Sequence, residues 1–249
     1  SASAIDLNAL DGKTSVDVIV NATTVSGNFV DLNTLYVTNQ ANFASLGDEA
    51  VTINDTTSAT NVDTIAAALT TGNVTATITA GEVKATLDAI TNVDAADTIT
   101  FTTTDTDVNA SDLVALDAKV DNFTVTSIDT ITQADSITDV VAALAIKTGS
   151  EVILTGTAVS AADLNTIAAD TNAGNITATI ATGAVDTTLA AITSVDASDT
   201  ITFTTTDTSA DATDIVDLNA RALAISAIAI SKVISPVMIN FEINIFFLK

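Results

Sequence analysis

Two short acidic segments each bring several oxygen ligands together: DTDVNASD at residues 105–112 and DTSADATD at residues 207–214. Ca²⁺ takes roughly six to eight oxygen ligands, many of them carboxylates. The candidate calcium ligands are Asp105, Asp107, Asp112, Asp207, Asp211 and Asp214. Neither segment has EF-hand spacing or the glycine-rich calcium repeat. The alternative is that Asp112 and Asp214 favour helix starts while the other acids keep the surface soluble.

Catalytic residue types are scarce. The chain has no His and no Cys, which removes the usual proton shuttle and the thiol nucleophile. Carboxylate pairs such as Asp105/Asp107 or Asp94/Asp97 are the remaining candidates, in the manner of a glycosidase. Three of these acids, Asp94, Asp97 and Asp105, recur 102 residues later as Asp196, Asp199 and Asp207. An active site is normally built once, so we predict that the chain is not an enzyme. A polysaccharide-active β-solenoid enzyme is one alternative function.

Threonine alternates with apolar residues in several segments, which indicates strands with one exposed face. If Ile99 and Phe101 point inward, the threonines beside them point outward. The predicted outward ladder comprises Thr75, Thr77, Thr98, Thr100, Thr102, Thr124, Thr126, Thr177, Thr179, Thr200, Thr202 and Thr204. Such a flat T-x-T ladder resembles the surface of ice-binding proteins, which makes ice binding another alternative function. Threonine also fits any exposed sheet well, so a purely structural role stays open.

The chain is internally duplicated. Residues 73–106 match residues 175–208, and the segment DTITFTTTDT occurs in both. A finer period of about 25 residues is marked by apolar residues at positions i and i+3. These pairs are Leu7/Leu10, Leu32/Leu35, Val62/Ile65, Leu87/Ile90, Leu113/Leu116, Ile137/Val140, Leu164/Ile167, Leu189/Ile192 and Ile215/Leu218. They indicate nine units, of which four make one super-repeat of 102 residues. The second unit is irregular: either Phe43/Leu46 or Val51/Ile53 supplies its strand, and an insertion lies beside it.

Each unit reads as a short helix followed by a strand. Polar cap residues and acids precede the apolar pair, and a segment of period two follows it. One unit has too few apolar side chains to offset the ordering of about 26 residues, so the units must stack. We predict an α/β solenoid over residues 1–222, with one continuous parallel sheet on one wall and short helices on the other, coiled like a leucine-rich repeat. A parallel β-helix without helices is the alternative.

The composition limits the classes of partner that the chain can bind. Seven basic residues face 31 acidic ones, and the resulting net charge of -24 would repel nucleic acid. Without cysteine there is no disulfide framework, and this alone does not fix the compartment. Large surface proteins exported by bacteria often have this composition, so an extracellular or cell-surface location is expected. Ser1 opens within a repeat unit and no leader precedes it, which suggests a processed product or a piece of a longer chain.

The segments LNAL at residues 7–10, LNTL at 32–35 and LNTI at 164–167 each precede a Thr/Val-rich stretch. In this the chain resembles, over residues 1–222, the Asp/Thr/Ala-rich repeat arrays of large extracellular surface proteins of marine cyanobacteria and related bacteria. The resemblance implies a structural or adhesive role without catalytic residues. We therefore expect a surface-layer protein, filament subunit or adhesin stalk. Its partner would be another copy, end to end or side by side, or a cell-surface glycan.

The tail at residues 223–249 differs from the repeats and contains the only Pro and the only Met. Lys232, Pro236 and Glu242 interrupt its apolar run, so it is not expected to span a membrane as a helix. Its alternation predicts strands in which one face is formed by Ile239, Phe241, Ile243, Ile245 and Phe247. We expect a hydrophobic cap on the last unit or an assembly segment that adds a strand to the next subunit.

Overall fold

Short helices alternate with parallel strands along the chain. The computed structural model describes residues 1–133, 136–170, 172–207, 210–221 and 223–226. The strands are β1 (Ala2–Ser3), β2 (Val18–Ile19), β3 (Thr24–Gly27), β4 (Phe43–Ala44), β5 (Ala50–Thr57), β6 (Val74–Ile78), β7 (Thr98–Thr102), β8 (Asp107–Asn109), β9 (Asn122–Thr124), β10 (Thr130–Gln133), β11 (Glu151–Val159), β12 (Ile176–Gly183), β13 (Thr200–Thr205) and β14 (Leu223–Ser226). The α-helices are α1 (Ala4–Asp11), α2 (Phe29–Asn33), α3 (Ala59–Ala68), α4 (Val83–Ala89), α5 (Ala110–Asp117), α6 (Ile137–Ile146), α7 (Ala161–Ala168), α8 (Val185–Ala191) and α9 (Ala212–Ala220).

Each described α-helix contains at least one member of a predicted apolar pair. Several begin as the cap residues predict: the side chains of Asn28, Ser58, Ser136, Ser160 and Asp211 accept a hydrogen bond from a backbone N–H in the first turn. The chain is therefore a mixed α/β structure, and the prediction of a helix-free β-helix is wrong.

The strands form open parallel sheets. In the described residues one sheet has the order β1-β3-β5-β6-β7-β9, a second has the order β14-β13-β12-β11-β10-β8, and β2 pairs with β4. The sequence predicted a single continuous sheet, which differs from this arrangement. The break follows β7, where residues 104–106 belong to no strand. β9 then pairs with β7, while β10 pairs with β8.

The core lies between the strand layer and the helices. In β6, Val74, Ala76 and Ile78 are buried while the threonines between them are exposed. Leu113 and Leu116 of α5 are fully buried from the helix side. Apolar side chains of both layers thus interleave, and small aliphatic residues suit the narrow space between a strand and a short helix.

Residues 34–42 are irregular, with a π-helix at Thr34–Thr38 and a 3-10 helix at Gln40–Asn42 before β4. The sequence predicted an insertion here and proposed Phe43/Leu46 or Val51/Ile53 as the strand. Phe43 lies in β4, and both Val51 and Ile53 lie in β5.

At Gly72 the backbone passes close to the backbone of Glu49, and a substitution there tests this packing. A Cβ at this position would lie 1.9 Å from the carbonyl oxygen of Glu49, a backbone atom that cannot swing away. We expect Gly72→Ala to lower the free energy of unfolding in urea by about 2 kcal/mol or more. Gly12→Ala is the control: its nearest neighbours are 3.8 Å away, so its stability should stay level or rise slightly. Equal effects of the two changes would contradict the approach of residues 49 and 72.

Candidate functional surface

Exposed threonines stand in register across neighbouring strands. In the first sheet one row runs Ser3, Ser26, Thr52, Thr75 and Thr98. Further rows, taken in both sheets, are Thr56–Thr77–Thr100, Thr102–Thr124, Thr177–Thr200 and Thr179–Thr202. We call these positions the threonine rows. Hydroxyls in such rows repeat about every 4.8 Å across strands and about 6.7 Å along them.

The threonine rows are exposed but interrupted. Thr75, Thr77, Thr98, Thr102, Thr124, Thr179 and Thr200 are exposed, while Thr100, Thr177, Thr202 and Thr204 are half-buried. Ile153 and Asn122 occupy row positions opposite Thr177 and Thr100. Thr126 lies in a turn after β9, outside the strand. The rows therefore form short patches of hydroxyl and methyl groups.

Two buried aspartates accept a hydrogen bond from the first residue of a strand 23 residues earlier, β6 or β12. Asp97, 7% exposed, accepts hydrogen bonds from the Val74 N–H at 2.6 Å and from the Asp94 N–H at 3.0 Å. Asp199 repeats this with the N–H groups of Ile176 at 2.9 Å and Asp196 at 3.1 Å. In both residues each carboxylate oxygen is used by a backbone donor.

Two of the predicted calcium ligands cap a helix that begins 22 residues earlier in the chain. Asp105 accepts a hydrogen bond from the N–H of Val83, the first residue of α4, at 2.7 Å. Asp207 does the same for Val185 in α8, also at 2.7 Å. The residues before these two helices make no side-chain cap hydrogen bond, so the cap comes from 22 residues later.

The other predicted calcium ligands lie near helix starts or on the surface. Asp211 caps α9: its carboxylate accepts hydrogen bonds from the N–H and the hydroxyl of Thr213. The hydrogen bond from the hydroxyl, and after it the one from the N–H, lowers the pKa of Asp211. Asp112 and Asp214 lie in the first turns of α5 and α9, where the helix dipole favours negative charge. Asp107 is exposed. Within the described residues no three acidic side chains are grouped so that they could hold a metal ion.

The candidate catalytic pair Asp94/Asp97 is part of a turn. Asp94 accepts from the N–H of Ala96 at 2.8 Å, and both oxygens of Asp97 accept backbone N–H groups. At the duplicate position a polar cleft of about 190 Å³ is lined by Asn175, Asp196, Asp199 and their neighbours. That volume is below the roughly 300–1,000 Å³ of typical small-molecule sites.

Two basic residues that the sequence analysis did not single out bind helix ends. The Lys119 ammonium donates to the carbonyl oxygens of Ile90 at 3.1 Å and Val93 at 2.5 Å, just after α4. Arg221, 102 residues later, donates to the carbonyl oxygen of Ile192 after α8. Positive charge at a helix C-terminus is favourable. The 102-residue offset between these two scarce basic residues was the signal that could have identified them.

A buried carboxylate was also missed. Glu49, 2% exposed, accepts hydrogen bonds from the Gly47 N–H at 2.8 Å and from the Tyr36 hydroxyl at 3.2 Å. Burial, and then the charge and hydrogen bond of Glu49, raise the pKa of Tyr36 above its usual range. This pair holds the irregular segment against the start of β5.

Comparison of the chain with protein-family models, curated proteins and solved structures found no match. Of the helices described, none is long and apolar enough to cross a membrane. The predicted tail face at Ile239, Phe241, Ile243, Ile245 and Phe247 lies outside the described residues. Residues 223–226, at the start of the predicted tail, form β14 beside β13.

Removal of the Asp97 carboxylate tests its structural role. Asp97→Asn replaces one acceptor oxygen with a donor that faces a backbone N–H. We expect it to lower the free energy of unfolding by about 1–3 kcal/mol, and Asp199→Asn to behave alike. Asp107→Asn removes the same charge from an exposed position and should stay within about 0.5 kcal/mol. Denaturant titration gives all three values, and an equal effect of Asp97→Asn and Asp107→Asn would refute the role.

Tyr36 is the single tyrosine and the chain has no tryptophan, so tyrosinate absorbance reports on it alone. Its pKa is raised in the fold, so its contribution to stability is complete below the unfolded value of about 10 and is lost as pH rises above it. We expect tyrosinate absorbance to remain absent until alkaline unfolding. Tyr36→Phe should reduce the loss of stability above pH ~10. Reversible titration of the folded chain near pH ~10 would contradict the burial of this hydroxyl.

Proposed function

We propose that the chain is a non-catalytic, extracellular structural protein whose repeat units stack as an α/β solenoid. The observation that carries the proposal is the set of hydrogen-bond partners of the charged side chains. Asp97, Asp105 and Asp121 accept backbone N–H groups 22 or 23 residues earlier in the chain, and Lys119 binds carbonyls 26 and 29 residues earlier. These groups join neighbouring segments and do not converge on a reaction centre.

The duplicate contacts support a repeated unit. Asp199, Asp207 and Arg221 make bonds of the same kind 102 residues after their counterparts. A joint that recurs in this way lets an array lengthen without a new kind of contact. A lengthening scaffold suits a surface layer, a filament or an adhesin stalk, with another copy or a surface glycan as partner.

The charge fits an extracellular location in salt water. A net charge of -24 keeps the surface soluble and repels nucleic acid, while salt screens the self-repulsion. An adhesin stalk and a filament subunit differ in whether the purified chain assembles with other copies. Electron microscopy of the purified chain at rising concentration should show regular end-to-end assemblies for a filament subunit and separate particles for a stalk.

Insertion of one more super-repeat tests the stacked architecture. A second copy of residues 73–174 placed before residue 175 adds four predicted units. If the units stack, the longest dimension in small-angle scattering should grow by four strand spacings, about 19 Å, with an unchanged cross-section. Growth in all dimensions would contradict the solenoid.

Calcium binding is tested by thermal unfolding at matched ionic strength. Screening of the net charge should raise the melting temperature with NaCl. If the acids act as helix caps, CaCl₂ should add nothing to this, and the variant Asp107→Asn should behave as the unmodified chain does. A larger rise with calcium, lost on Asp107→Asn, would support the calcium sites predicted at Asp105, Asp107, Asp112, Asp207, Asp211 and Asp214.

Ice binding is a second candidate, favoured by the register of the threonine rows. Thr75 pairs with Thr98 and Thr77 with Thr100 on a sheet face that is exposed or half-exposed. Thr98→Lys would disturb such a contact face, whereas Ser160→Ala, at a helix start, would not touch it. We expect no ice affinity in either protein if the role is structural; affinity that Thr98→Lys alone abolishes would support ice binding.

A further inference from the structure

Exposed apolar side chains gather near one end of the described structure. Six of the seven large ones lie within the first 37 residues, and Val16 and Leu10 are 72% and 50% exposed. We call the exposed side of α1 that carries Leu10 the N-terminal face. A repeat that caps an array usually presents a polar outer surface, which this face lacks.

Another part of the chain shows what covers such a face. Residues 1–13, SASAIDLNALDGK, align without gaps with residues 107–119, DVNASDLVALDAK, so that α1 corresponds to α5 and Leu10 to Leu116. Leu116 is fully buried, and α5 packs against both α4, the helix that precedes it, and α6, the helix that follows it. α9 likewise packs against α8. α1 packs against α2, which follows it.

The same alignment pairs Lys13 with Lys119. Lys119 donates to the carbonyl oxygens of Ile90 and Val93 just after α4. Lys13 is exposed, and its ammonium has no partner among the described residues. The position thus offers a cation of the kind that binds the end of a preceding helix.

An open strand edge lies at the same end. After α5 the chain forms β9, which pairs with β7 of the preceding segment, and Phe123 contacts Phe101 at 5.7 Å between ring centroids. After α1 the chain forms β2, which pairs with β4 and has its other edge free in the described sheet order. A free edge accepts a further strand.

We propose that the N-terminal face is the acceptor half of an α4–α5 joint, and that its occupant is a repeat unit of the α4 type placed directly ahead of residue 1. The inference rests on the stacked units of the proposed function. The occupant provides an apolar helix side for Leu10, free helix carbonyls for Lys13 and a strand for the edge of β2.

The test extends the full chain at its N-terminus by a copy of residues 73–106, which precede residue 107 in the native sequence. The control carries the same added residues in scrambled order. We expect the native-order extension to raise the melting temperature by about 4 °C or more over the control, because it buries the N-terminal face.

Leu10→Ala reports on the joint in both chains. Without the extension it should lower the melting temperature by no more than about 2 °C, since Leu10 is half exposed. With the native-order extension the loss should rise to about 5–15 °C, the size expected for Leu116→Ala at the internal joint. Lys13→Gln should likewise matter only in the extended chain.

Three results would overturn the inference or its basis. Equal stability of the native-order and scrambled extensions, or an equal cost of Leu10→Ala in both chains, refutes the joint. If Leu10→Ala dissociates an oligomer of the unextended chain in sedimentation equilibrium, the occupant is a second copy and the proposal is wrong. A small effect of Leu116→Ala would instead refute the stacked units, so failure of the proposed function is seen separately.

Discussion

The structure depends on hydrogen bonds that backbone N–H groups donate to the carboxylate of an aspartate 22 or 23 residues later in the chain. Short helices and strands leave their first N–H groups without partners, and helices of seven to ten residues are unstable alone. A carboxylate from the following segment supplies the missing acceptor and fixes the spacing between the two segments. Loss of one such acceptor leaves a buried donor unsatisfied in the neighbouring segment.

The same interactions explain how a chain with a net charge of -24 can pack closely. Lys84–Asp88 is the one ion pair found in the described part of the chain. Most acids there face backbone N–H groups or solvent, and neutral donors do not require a matching cation. Lys119 and Arg221 are used at helix C-termini, where a positive charge has a fixed backbone partner.

Local patterns predicted the elements well because their causes are local. The pair Leu113/Leu116 with Asn109 before it places α5, and the alternation of Val74, Ala76 and Ile78 places β6. The roles of Asp105 and Lys119 could not be predicted from neighbouring residues, because their partners are 22 to 29 residues away. The break between the two large sheets was missed for a similar reason. It depends on which strands β9 and β10 pair with, and nothing in the sequences of β9 and β10 themselves distinguishes them from other strands.

If the units stack as proposed, the joints between neighbouring units also determine where the stack can end. Each added unit covers the apolar face of its neighbour but exposes an apolar face of its own. The exposed apolar surface therefore disappears only when the outermost unit has a polar outer face. Leu116 and Leu218 are fully buried, whereas Leu10, in the corresponding position of α1, is half exposed. The difference lies in the neighbour and not in the residue. Under the proposed joint, a polar replacement at position 10 would make α1 a cap, whereas the native leucine leaves a place for a further unit.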